Sequence, residues 1–66
     1  MEEKFHWYMF VFHEGNREQS MFSGLVFKKV SKRIIEQNRE FCNMSKNAMC
    51  ANICYLGHMT AEEFEG

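Results

Sequence analysis

The chain contains no proline and no aspartate, and only four of its 66 residues are glycine. Nothing in it reads as a proline- or glycine-rich linker, so residues 1–66 are taken as one small α+β domain. No apolar stretch approaches the ~18 residues of a membrane-spanning helix. An excess of one charge is missing too: eight Lys and Arg stand against nine Glu, for a net charge of -1. That balance argues against a general nucleic-acid binder, which carries a basic excess, and against a strongly acidic DNA mimic. Three cysteines cannot all pair within one chain. The opening "MEEK" is acidic and shows no secretory leader, so reduced thiols and a cytoplasmic location are expected. There is no Gly-rich phosphate loop, no nucleophile elbow and no Walker motif.

Aromatic residues, by contrast, are abundant. Seven Phe, two Tyr and one Trp make up 15% of the chain, and 45% of all residues are hydrophobic. A chain this short buries only ~60% of the surface that its unfolded form exposes. That leaves one modest core and more aromatic surface than it readily hides.

The pattern along the chain predicts β-β-α-β. Residues 4–13 alternate without a breaker, as a strand does. "EGNREQ" (14–19) reads as the turn, and 20–29 as the returning strand. Gly24 within it marks a bulge or the close approach of an aromatic neighbour. From Ser31 the period changes. Ile34, Ile35, Asn38, Phe41 and Cys42 share one helical face, Ser31 is a candidate N-cap and Asn43 a candidate end, which gives a helix over 31–42. Residues 47–57 fit a strand or a buried helix. The strand is preferred, because a lone hairpin is marginal in water. The only strand apolar on both faces is the first, so it belongs in the centre and the sheet order is 2-1-3. In the tail, Thr60 and Glu63 have the spacing of a capping box, and Met59 and Phe64 that of a hydrophobic staple, so a short C-terminal helical turn is expected.

Cys50, Cys54 and His58 are spaced by four and would share a helix face suited to zinc. On a strand, Cys50 and Cys54 stand ~13 Å apart, too far for one ion. No metal or cofactor is therefore expected, and the thiols read as small buried apolar groups. No Cys/His pair comes with an orienting third group, so an enzyme is not expected. Lys28, Lys29, Lys32 and Arg33 form the basic cluster. Beside exposed aromatics it would suit single-stranded nucleic acid, the alternative function; otherwise it is a solvated strand end and helix start.

The first strand carries the main functional expectation. If Phe5, Trp7, Met9 and Val11 face the helix, then Tyr8, Phe10 and Phe12 point away, joined by Phe22 and Val26. One helix cannot cover both faces of a sheet. A partner is then expected on the second face, first of all a second copy in a homodimer.

The tail "YLGHMTAEEFEG" (55–66) resembles the ends of short uncharacterised accessory proteins of phages and mobile elements of enteric bacteria, and the opening "HWYMF" is similar. What the resemblance implies is a small protein that binds and modulates a host protein, often as an inhibitor of a defence component.

Overall fold

The computed structural model describes residues 3–66. They form β1 (Lys4–Glu14), β2 (Arg17–Leu25), α1 (Lys32–Phe41), β3 (Met49–Thr60) and α2 (Ala61–Glu65). The strands make one antiparallel sheet in the order β2-β1-β3. This is the α+β domain, sheet order and short terminal helix that the sequence predicts.

The hairpin is tighter than expected. Its loop is Gly15 and Asn16 alone, since Glu14 already pairs with Arg17. Gly15 takes φ 59°, in the position where a two-residue type II′ loop favours glycine. With so short a loop, β2 begins at Arg17 and ends at Leu25. Residues 26–29, expected in the strand, belong instead to the connection into α1.

Ser31 caps α1, accepting the Ile34 amide at 3.4 Å. Asn38 is buried, and its side-chain amide donates to the Ile34 carbonyl at 2.8 Å, which satisfies a polar group inside an otherwise apolar stripe. The helix stops at Cys42. Asn43 follows with φ 59°, the left-handed residue that commonly ends a helix. Phe41 lies at the rim of the stripe and is exposed.

The core corrects the expected facing of β1. Tyr8, Phe10 and Phe12 do not point away from the helix. They are buried with Met44, and Met21, Leu25, Val30, Ile34, Ile35, Cys42, Ala48 and Cys50 pack around them. The hairpin register explains the choice. It sets Phe10 opposite Met21 and His6 opposite Leu25 on one face, but Trp7 opposite Gly24 and Val11 opposite Ser20 on the other. On β2 the first face thus offers two apolar side chains, Met21 and Leu25, beside Ser23 and Gln19, and the second offers only Phe22 beside Gly24 and Ser20. The Tyr8 hydroxyl donates to the Lys28 carbonyl and fastens the linker over this face.

On the opposite face, α2 does the covering. Phe64 lies flat on Trp7, with ring centroids 4.1 Å apart and planes within 6°. Trp7 Nε1–H donates to the Met59 carbonyl at 3.0 Å. Gly24 is where the indole needs space, since a Cβ there would stand 3.0 Å from the ring. The capping box forms as expected: the Glu63 amide donates to Thr60 Oγ1 at 3.1 Å, and the Thr60 amide to Glu63 Oε1 at 3.0 Å.

Candidate interaction surface

Three exposed features lie on the sheet among the described residues. The longest is the outer edge of β3. This strand is twelve residues long, pairs with β1 on one side, and lies at the margin of the sheet on the other. It contains no Lys, Arg, Asp or Glu. Met49, Ile53, Tyr55 and Leu56 are exposed along it, Met49 at 71%. The register of β3 against β1 shifts twice, between Trp7 and Tyr8 and between Val11 and Phe12, leaving Leu56 and Ala51 as the extra residues. Between these bulges, Asn52 to Tyr55 pair regularly with Val11 to Tyr8. The bulge at Ala51 also sends Cys50 and Cys54 to opposite faces, opposite Phe12 and Met9 respectively. Burial pushes the thiols of Cys42 and Cys50 up from the usual cysteine value, which keeps them protonated at neutral pH.

The second feature is the part of the sheet that α2 covers only at its margin. Met9 and Val11 are half-buried there, and Phe22, opposite Met9, is 54% exposed. Phe64 meets Phe22 edge-on, with centroids 5.3 Å apart.

The third lies at the end of the core face. His6 and His58 oppose one another across β1 and β3, their rings stacked 4.2 Å apart. His6 Nδ1 is 3.0 Å from the Tyr55 hydroxyl, and Lys28 Nζ stands 4.9 Å from the centre of the Tyr55 ring. Desolvation, and then the charges of His58 and Lys28, hold His6 below the ordinary histidine value.

The expected partner surface does not assemble as one patch. Tyr8, Phe10 and Phe12 are core residues of the chain itself, for the register reason given above. Phe22 is exposed, but on the opposite face of the sheet from them. Val26 is exposed beyond the end of β2. Lys28, Lys29, Lys32 and Arg33 are all exposed, spread over the linker and the first turn of α1. The edge of β3 is not among the sequence expectations, although a signal for it is present: residues 47–61 form the longest stretch of the sequence without Lys, Arg, Asp or Glu.

A shallow, open depression of about 380 Å³ is lined by Glu3, Phe5, Thr60, Ala61 and Glu62. Among the described residues, no helix is long and apolar enough to cross a membrane. No protein-family model, curated protein or solved structure matches the chain.

Proposed function

We propose that this chain is a non-enzymatic protein-interaction module that binds by adding a strand to the free edge of β3. The observation that carries the reading is the composition of that edge. Sheet margins are ordinarily guarded by charge, by proline or by being short, because unpaired backbone groups invite another chain. Here twelve residues carry neither charged Lys, Arg, Asp or Glu nor proline, and four large apolar side chains stand exposed along them. Main-chain pairing over the regular segment Asn52 to Tyr55 would supply part of the affinity, and the side chains beside it the rest together with specificity.

The first occupant is a second copy. An uncharged strand meeting itself antiparallel brings no like charges together, and two-fold homodimers are the commonest assemblies. The resemblance of the tail and opening to phage and mobile-element proteins makes a host protein the functional target of the same edge, with inhibition by occupation of its surface. Burying an apolar side chain gains roughly 1.5–3 kcal/mol, set against an association cost of ~4–15 kcal/mol. A weak, concentration-dependent homodimer follows.

Sedimentation velocity over a concentration series tests this. The wild type is expected to shift from monomer to dimer, and Ile53→Lys with Leu56→Lys to remain monomeric with an unchanged circular dichroism spectrum. A wild type still monomeric at about 1 mM, where an association of only about -4 kcal/mol would be visible, removes the self-pairing edge.

A further inference from the structure

We propose that His6, His58, Lys28 and Tyr55 form a binding site for a phosphoryl group. The four side chains come from three separate segments and converge on one exposed spot. His6 lies on β1, His58 and Tyr55 on β3, and Lys28 on the connection between β2 and α1. The convergence depends on the bulge at Leu56. Tyr55 and His58 are three residues apart, and a regular strand would send them to opposite faces. The extra residue restores Tyr55 to the face of His58, so that Tyr8 opposes Tyr55 and His6 opposes His58 on the same side of the sheet. Bulges often re-aim a side chain in this way beside functional sites.

The donors are then held in place. The Tyr55 hydroxyl lies 3.0 Å from His6 Nδ1, which fixes the imidazole and leaves its Nε2 available. Stacking at 4.2 Å, with planes within 13°, aligns His58 with it. The backbone of Lys28 is fastened by the Tyr8 hydroxyl, and its ammonium is held over the Tyr55 ring. A phosphoryl group offers several acceptor oxygens and negative charge, which an ammonium, two imidazole N–H groups and a phenol can meet together.

Apart from the Tyr55 phenol, the titratable groups gathered around the His6 ring are basic. β1 contributes Lys4 and His6 to this face, β3 contributes His58 and Tyr55, and the linker contributes Lys28. β2 contributes only the uncharged Leu25, opposite His6. The nearest acid in sequence on α2 that touches this charge is Glu63, which is engaged with Thr60 and influenced by Lys4. Among the described residues, Lys28 has no carboxylate within salt-bridge distance. In the empty site desolvation, and then the charges of His58 and Lys28, disfavour protonation of His6. A bound phosphoryl group reverses that preference, so binding takes up protons and tightens as pH falls through the histidine range.

The test is an NMR titration of the three imidazoles in sodium phosphate and in sodium chloride at matched ionic strength. A third arm uses a short single-stranded oligonucleotide without a terminal phosphate. His6 and His58 are expected to titrate at least about half a unit higher in phosphate than in chloride, with the exposed His13 on the hairpin as internal control. Lys28→Ala is expected to remove most of that rise, and Tyr55→Phe part of it, with the chloride spectra reporting that both variants stay folded. A response to inorganic phosphate alone identifies the ligand class as a free phosphate or phosphomonoester; a response to the oligonucleotide identifies it as a phosphodiester backbone. Identical titrations in all three media, or a rise shared equally by His13, overturn the site. All arms share one protein concentration and ionic strength, so pairing of the β3 edge alone gives no difference between them.

Discussion

On one face of β1, Phe10 and Phe12 are 0% and 1% exposed; on the other, Met9 and Val11, their immediate neighbours in sequence, remain half-buried. Both sets are apolar, and a period-two reading cannot rank them. The difference lies in what each face meets next door. The Phe10 face continues into Met21, Leu25 and Cys50 and is roofed by Ile34 and Ile35 of α1. The Met9 face continues into Gly24, Ser20 and the exposed Phe22, and its cover is a five-residue helix held by one aromatic ring. Burial is thus a property of the paired face. Trp7 suits the lightly covered side, since indole is rarely hidden completely and needs an acceptor for its N–H, here the Met59 carbonyl.

The comparison breaks most sharply in paired truncations. Phe10→Ala should cost ~3–5 kcal/mol, a large part of the ~0.05–0.15 kcal/mol per residue that holds a domain together. Met9→Ala should cost under about 1.5 kcal/mol. Urea denaturation of both variants measures the gap; equal losses would mean that the two faces are equally packed. A smaller effect is expected from Phe64→Ala. Removing the ring that stacks on Trp7 should cost about 0.5–1.5 kcal/mol beyond the lost area. It should also shift the emission of the chain's one tryptophan to the red and loosen residues 61–65 in NMR relaxation while the Phe10 face stays rigid. Unchanged tryptophan emission would show that α2 does not dock there.

The smallest effect concerns the cap of α2. The Thr60 amide, and then the Thr60 hydroxyl, hold the Glu63 carboxyl below the ordinary glutamate value of 4.5. A carboxylate lowered in the folded state contributes stability that is present above its unfolded pKa and lost as pH falls through the folded one. The Thr60 amide resonance should therefore move in acid, below pH 4.5, before the Phe10 face unfolds. Glu63→Gln should abolish that step, and Thr60→Ala, which keeps the amide but loses the hydroxyl, should cost ~1 kcal/mol. A Thr60 amide that titrates only above 4.5 would contradict the capping geometry.

Local signals in the sequence were sufficient wherever a few neighbouring residues decide the outcome. The Ser31 cap, the Asn43 terminus and the Thr60–Glu63 box rest on short-range chemistry, and all are present. Strand order was legible because only β1 is apolar on both sides. The facing of β1 was not, because it follows from register. A loop read as six residues proved to be two, which ended β2 at Leu25 and released Val26 to Lys29 into the linker. The exposed sites were hidden for a related reason. Two bulges in β3 change which side chains share a face, and nothing in "MCANICYLGHMT" announces their positions.

Those bulges also set a ruler along the outer margin of the sheet. Only Asn52 to Tyr55 lie in unbroken register between the interruptions at Ala51 and Leu56. Four residues are near the lower limit for a strand, so backbone pairing alone gives an incoming chain little hold. Whatever docks there must also fit Ile53 on one side and Cys54 on the other. Such a margin discriminates by length and by side chain at once, and it withholds the long, flat template on which strands stack without end.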